Sequence, residues 1–162
     1  MIVLEDDLSS LRHELDNKTI VFTSGTFDLI HPGHLEFLGW CKSQGDVLVV
    51  AVNNDEHTRL VKGKNRPVLN EVDRLNMVDS LKAVDYVIMK KTINTEKGIP
   101  AIFIASKLRP NIAVLGYDWA DREIQDWRVA LPATEVLVAP QRSPGRSTSH
   151  IIHSIIKAYS DD

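Results

Sequence analysis

The sequence predicts an α/β fold: a Rossmann-like open parallel sheet with helices on both faces, in a single domain covering 1–162. Apolar, β-rich runs alternate with amphipathic segments along the 162 residues, a length that suits one hydrophobic core. The run Val47-Leu48-Val49-Val50-Ala51-Val52 is almost continuously apolar, as in central parallel strands covered on both faces. Because ligands of such sheets bind at the carboxyl ends of strands, we expect functional residues directly after them.

The first elements are predicted from hydrophobic spacing. Leu4, Leu8, Leu11 and Leu15 recur at helical intervals and predict a helix over 4–15, ahead of a core over 19–160. The β-rich segment 19–25 ends in small residues and predicts a strand that enters a tight loop. Helical periodicity then predicts a helix over 32–43, and Pro32 suits its first turn because no N–H is needed there.

The later elements follow from the same alternation. The predicted strands after the first one cover 46–52, 86–89, 112–115 and 135–139. The predicted helices between and after them cover 71–81, 99–107, 121–130 and 148–159.

The bulk properties exclude several classes of protein. A formal net charge of −3 argues against a general nucleic-acid binder. No apolar run approaches the ~20 residues that span a membrane. Cys41 is the one cysteine, so no intramolecular disulfide can form, and the acidic N-terminal segment does not resemble a targeting peptide. We therefore expect a cytoplasmic protein with neither nucleic-acid nor membrane partners.

A specific motif follows the first predicted strand. The sequence runs through Gly25-Thr26-Phe27-Asp28 and then His31-Pro32-Gly33-His34 at the predicted helix start. A helix N-terminus favours phosphate, and imidazoles three residues apart face one spot, where they can donate hydrogen bonds to phosphate oxygens. An isolated histidine pair is more often a surface or capping feature, and zinc would need further ligands. The complete combination of strand end, small residues, Phe-Asp and His-x-Gly-His at a helix start is more specific than the histidine pair alone.

This motif resembles the signature of the cytidylyltransferase-like nucleotidyltransferases, a superfamily with a Rossmann-like fold. Every fixed residue of the pattern is present, and further motifs follow in the expected order across nearly the whole chain. The resemblance implies catalytic roles for His31 and His34. It implies nucleotide contacts for both histidines and for Gly25, Thr26 and Phe27.

Basic residues after the second long strand gain a role from the same resemblance. Lys62 and Arg66 lie in a basic stretch that would otherwise be interpreted as a solvated loop. Arg74 lies near the start of the next predicted helix, where an exposed Asp-Arg pair would be unremarkable. The resemblance implies that Lys62 and Arg74 act on the triphosphate and that Arg66 contacts the second substrate.

Two further strand ends complete the predicted site. Gly116 and Asp118 are expected to bind nucleotide, and Trp119 either stacks on a substrate ring or packs under the loop. Ahead of the last helix, a serine or threonine suits the N-cap, and the resemblance implies phosphate contacts for Arg142, Ser147 and Thr148. Asp28 and Asp55 complete the predicted acceptor subsite, although Asp28 suits ordering of the loop better than proton transfer.

The implied reaction is attack by an acceptor phosphate on the α-phosphorus of a nucleoside triphosphate, with release of pyrophosphate. Magnesium is expected, bound mainly through the nucleotide phosphates, and no protein metal ligands are predicted. Family analogy implies a homodimer. The expected partners are therefore a nucleoside triphosphate, a phosphorylated small molecule and a second copy of the chain.

Two branches of the family compete for the substrate. Segments 19–55, 62–68 and 83–87 resemble heptose-phosphate adenylyltransferases, although those usually have Cys where this chain has Thr26. That threonine, Asp118-Trp119 and Arg142 instead resemble glycerol-3-phosphate cytidylyltransferase, and loop 115–118 also resembles flavin-adenine dinucleotide synthases. We favour ATP and a sugar phosphate such as heptose 1-phosphate. A non-catalytic nucleotide sensor stays open, although no motif residue is lost.

Overall fold

Six parallel strands form one sheet in the computed structural model, which describes residues 1–91, 100–141 and 145–160. The sheet order is β1-β4-β3-β2-β5-β6. The strands are β1 Ile2–Val3, β2 Ile20–Gly25, β3 Val47–Asn53, β4 Tyr86–Lys90, β5 Ile112–Leu115 and β6 Glu135–Val138. This arrangement confirms the predicted Rossmann-like α/β class.

Seven α-helices accompany the sheet in the described ranges, and a 3₁₀ turn at Glu5–Asp7 precedes the first of them. The helices are α1 Leu8–Glu14, α2 Pro32–Lys42, α3 Asp55–Lys62, α4 Glu71–Asp79, α5 Pro100–Leu108, α6 Asp121–Ala130 and α7 Thr148–Tyr159. The bounds of α6 and α7 agree with the sequence prediction. The predicted start of α5 at residue 99 lies outside the described residues.

Two elements were absent from the sequence prediction. The edge strand β1 pairs with β4 through Ile2 and Val3. Helix α3 occupies a segment for which no helix or strand was predicted, and it begins where the Asn54 side chain accepts a hydrogen bond from the backbone N–H of His57. An asparagine N-cap of this kind stabilises a helix start by about 1 kcal/mol. The helix carries Lys62 at its last turn.

The sheet separates two hydrophobic layers. Strand β3 is buried along its whole length, because its alternate side chains point into opposite layers. One layer contains Phe22 and Val49 together with Trp127. The other contains Val21 and Leu48 with residues of α2 and α4. Coverage of both faces explains why β3 has the continuous apolar run found in the sequence.

The sheet order fixes where a ligand can bind. From β2 the chain proceeds outward through β3 to β4, and it then returns to place β5 on the other side of β2. The reversal between β2 and β5 is the topological switch point, and the crevice at the carboxyl ends of these strands is the favoured ligand site of open α/β sheets. Within the described ranges, none of the helices combines the length and the apolar character needed to cross a bilayer.

Candidate functional site

A cleft of about 840 Å³ opens at the carboxyl ends of the strands. Most of the residues predicted from the sequence line it: Gly25, Thr26, Phe27, Asp28, His31, His34, Lys62, Arg66, Gly116, Asp118, Trp119, Ser147 and Thr148. Arg74 and Asp55 do not line the cleft, and Arg142 lies outside the described residues. The cleft therefore joins segments that are widely separated in the sequence.

The two motif histidines lie at the start of α2. His31 is the N-cap residue, and its ring stacks on that of His34 with centroids 3.9 Å apart. The Phe27 ring meets His34 edge-on at 5.5 Å. The Nδ1 atoms of both imidazoles are buried and find no hydrogen-bond partner in the described part of the chain. Buried polar atoms are nearly always paired in native proteins, so this pair has unused capacity for a ligand or water.

Burial keeps the histidines uncharged at neutral pH. The pKa of His34 is lowered to about 4, first by burial and then by the neighbouring His31, while Asp28 opposes the shift. Burial also lowers the pKa of His31. A neutral imidazole offers one N–H donor, and an approaching polyanion would favour its protonated form. The pair therefore gains positive charge most readily when an anion is present.

Asp28 holds the loop between β2 and α2. Its buried carboxylate accepts hydrogen bonds from Arg66 Nε at 2.8 Å and from the backbone N–H groups of Val68 at 2.9 Å and Leu69 at 3.0 Å. Its carbonyl oxygen accepts a hydrogen bond from the Thr148 hydroxyl at 2.7 Å. These contacts give Asp28 and Arg66 an organising role, while their predicted contact with an acceptor stays a prediction.

Arg74 lies beneath the same loop, in contrast to its predicted place against the triphosphate. The side chain is fully buried. Its guanidinium donates to the carbonyl oxygens of Leu69, Thr26 and Asn53 and to the carboxylate of Asp55. Because the guanidinium is enclosed and occupied by protein oxygens, Arg74 and Asp55 support the loop from below and do not reach the cleft wall.

The start of α7 meets the start of α2. The Ser147 hydroxyl caps α7 by accepting the His150 N–H at 3.2 Å, and Thr148 is tied to the first loop through Asp28. A Cβ atom on Gly33 would lie 3.2 Å from the Arg146 carbonyl oxygen, so the two segments are in close contact. The N-termini of α2 and α7 therefore lie at the same cleft. Each terminus contributes a positive dipole end, which favours anions.

The loop after β5 closes another side of the cleft. A Cβ atom on Gly116 would lie 2.6 Å from Asp118 Oδ1, so glycine is required for this carboxylate position. The Trp119 ring packs edge-on against buried Trp127, with centroids 6.4 Å apart. Trp119 thus packs under the loop and also lines the cleft, while its stacking on a substrate ring stays a prediction.

The cleft residues that the sequence prediction missed include two buried polar ones. Asn53 and Lys90 are the last residues of β3 and β4, and both are buried. The sequence offered one signal for such residues, which is their position at the end of a predicted strand. The predicted strand 86–89, for example, stops one residue before Lys90. Among the described residues, no group of three or more His, Cys, Asp or Glu side chains is arranged to hold a metal ion.

Comparisons with known proteins agree with this geometry. The cytidylyltransferase-like family profile matches residues 22–157. The chain is 35% identical over 154 residues to the bifunctional protein HldE of Helicobacter pylori strain P12, covering 95% of this chain and 31% of that protein. It is 34% identical over 145 residues to the HldE protein of Geobacter metallireducens, covering 90% of this chain and 28% of that protein. The chain thus spans about a third of the length of these curated relatives.

Solved structures give the same result. A lipopolysaccharide core biosynthesis protein from Thermoplasma volcanium GSS1 is 30% identical with a TM-score of 0.64, over 78% of this chain and 99% of that one. Pantoate-beta-alanine ligase from Francisella tularensis shares the fold, with 18% identity and a TM-score of 0.58, over 100% of this chain and 79% of that one. The resemblance inferred from the motifs is confirmed at the level of the family.

The buried position of Arg74 leads to a stability prediction. Arg74→Met should lower the free energy of unfolding by about 3–5 kcal/mol, because it leaves Asp55 and three carbonyl oxygens without their buried donor. Urea unfolding measures this change. Arg59→Met, on the exposed face of α3, is the matched control and should stay within about 0.5 kcal/mol of the unsubstituted protein. A loss below about 1 kcal/mol at Arg74 would contradict the supporting role.

Proposed function

This chain belongs to the cytidylyltransferase-like family, and on that premise we propose that it transfers a nucleotidyl group from a nucleoside triphosphate to a phosphorylated sugar. ATP is the favoured donor and heptose 1-phosphate the favoured acceptor, and pyrophosphate is the second product. The observation that carries this proposal is the meeting of two helix N-termini and a stacked histidine pair in one cleft.

The cleft supplies what in-line transfer at phosphorus requires. An oxygen of the acceptor phosphate forms a bond to the α-phosphorus, while the bond from that phosphorus to the bridging oxygen of pyrophosphate breaks. The nucleophile is already an anion at neutral pH, so no base needs to remove a proton. Catalysis then consists of positioning and of stabilising negative charge. His31 and His34 would stabilise the α-phosphate, and the α7 N-terminus with Lys62 would hold the remaining phosphates.

The choice of acceptor has two supports. The sequence resembles heptose-phosphate adenylyltransferases in segments 19–55, 62–68 and 83–87. The curated relatives are named bifunctional protein HldE, and one structural relative is named a lipopolysaccharide core biosynthesis protein. These names belong to those proteins, and they make a sugar phosphate the first acceptor to test on this chain.

Magnesium fits the site as a partner of the nucleotide. The Asp28 carboxylate is occupied by Arg66 and two N–H groups, while Asp118 is exposed in the cleft. A site with few available carboxylates suits Mg²⁺, which retains waters and takes phosphate oxygens as ligands. When bound, it would neutralise charge on the triphosphate.

The proposal extends to a cytoplasmic homodimer on the strength of family analogy. The last helix offers a surface for self-association, since Ile155, Ile156 and Tyr159 are exposed large apolar side chains on it.

Replacement of His34 tests the catalytic assignment. His34→Ala should lower kcat by about 10²–10³-fold, because one preorganised donor to the developing charge is lost. Folding and ATP binding should persist, as measured by circular dichroism and calorimetry. His153→Ala, exposed on α7, is the matched control. Near-normal turnover of His34→Ala would refute the role.

The function itself is tested by a pyrophosphate-release panel. ATP, CTP, GTP and UTP are each combined with heptose 1-phosphate, glycerol 3-phosphate, phosphocholine, phosphoethanolamine and FMN. We expect the highest turnover from ATP with heptose 1-phosphate. Turnover confined to CTP with glycerol 3-phosphate would assign the chain to the glycerol-3-phosphate cytidylyltransferase branch. Nucleotide binding without pyrophosphate from any pair would favour a sensor.

A further inference from the structure

Two buried polar side chains lie side by side at the β3–β4 end of the cleft. Lys90 is 2% exposed and Asn53 is 8% exposed, and both line the cavity. They are register partners in neighbouring strands, so their side chains project from the same face of the sheet. Neither residue belongs to the histidine motif or to the α7 N-terminus, which lie nearer to β2.

Lys90 is a buried cation with unused hydrogen-bonding capacity. Within the described ranges its ammonium group makes no hydrogen bond or ion pair. Glu5 is the opposite charge that acts on it, but Glu5 Oε1 already accepts the backbone N–H of Lys91 at 2.7 Å. Burial lowers the pKa of Lys90 to about 8, with Glu5 opposing the shift. Burying a cation without a hydrogen-bonded partner is costly, and an anionic ligand would offset that cost.

Asn53 offers the complementary kind of atom. Its Nδ2 donates to the Thr26 hydroxyl at 3.3 Å, and its backbone carbonyl accepts from Arg74 at 2.7 Å. Its Oδ1 atom is buried and finds no donor in the part of the chain that the structure describes. The unused atom is a hydrogen-bond acceptor, so it requires a donor such as a ligand hydroxyl.

We propose that Lys90 and Asn53 form a recognition subsite for the acceptor, in which Lys90 binds an anionic oxygen and Asn53 Oδ1 accepts a hydrogen bond from a hydroxyl group. The inference rests on the proposed function and narrows its acceptor to a polyhydroxylated phosphate monoester. The position supports this assignment, because β3 lies beside β2, the strand that carries the histidine loop, and β4 follows on the far side of β3. A nucleotide held at the two helix N-termini would leave this end of the cleft to the second substrate.

The test is equilibrium binding of heptose 1-phosphate, measured by calorimetry on the full chain saturated with a non-hydrolysable ATP analogue. Lys90→Met should weaken this binding at least about tenfold, and Lys90→Arg should stay within about threefold because it retains the charge. Asn53→Ala should weaken binding of heptose 1-phosphate about tenfold but leave binding of inorganic phosphate unchanged, since the ligand contact that it removes is the one to a hydroxyl group. Lys91→Met, at the exposed neighbouring lysine, is the matched control. The affinity for the ATP analogue should be unchanged in each variant.

A comparison across pH keeps the proposal testable if Lys90→Met fails to fold. The unsubstituted protein should bind heptose 1-phosphate more weakly as pH rises from 7 to 9.5, because the pKa of Lys90 is about 8 and the charge is lost above it. Lys90→Arg should show no such loss. Glu5 faces Lys90 from the 3₁₀ turn, and His57, Lys62 and Arg66 face the same cleft from α3 and the following loop. All four groups are present in the unsubstituted protein and in Lys90→Arg, so a difference between the two pH profiles reports on Lys90.

The outcomes separate the subsite from the reaction. Equal binding by Lys90→Met and the unsubstituted protein, an equal loss in Lys91→Met, or no binding of heptose 1-phosphate at all would each overturn the subsite. If heptose 1-phosphate binding depends on Lys90 but no pyrophosphate is released, the subsite is supported and the proposed transfer reaction is contradicted.

Discussion

The site depends on the buried carboxylate and carbonyl of Asp28. The carboxylate binds Arg66 and two backbone N–H groups, and the carbonyl binds Thr148 at the start of the last helix. A buried charge is tolerated when it is paired and fully hydrogen-bonded, and here those bonds join three segments distant in sequence. Arg74 fixes the same loop from below. The bonds of Asp28 tie the loop to both the segment 66–69 and the start of α7, next to the N-terminus of α2.

Electrostatics in the cleft favour a polyanion without a permanent high charge. The histidines are held neutral by burial, Arg66 is paired with Asp28, and Arg74 is paired with Asp55. Positive potential remains from the helix ends, from exposed Lys62 and from buried Lys90. Such a site binds most strongly when several phosphate oxygens enter it together, as they would in a nucleoside triphosphate next to a phosphorylated acceptor.

Much of the fold was predictable because its signals are local. The apolar run of β3 and the periodicities of α6 and α7 predicted the bounds of these elements to within about one residue. The histidine motif predicted where the cleft lies. Helix α3 was missed although Asn54 followed by acidic residues is an N-terminal signal, since no apolar stripe accompanied it. The burial of Arg74 was not predictable, because its four oxygen partners come from two loops, a strand end and the start of α3, which only the tertiary fold brings together. Asn53 and Lys90 likewise become neighbours only through the register of β3 and β4.

The central claim is that both helix N-termini bind the same polyanion. The most direct measurement is an amide ¹⁵N–¹H titration of the full chain with a non-hydrolysable ATP analogue. We predict that the resonances of Gly33 and His34 on α2 and of Ser149 and His150 on α7 shift along one saturable curve with a single Kd. Shifts limited to one of the two helices, or two curves with different midpoints, would contradict the account.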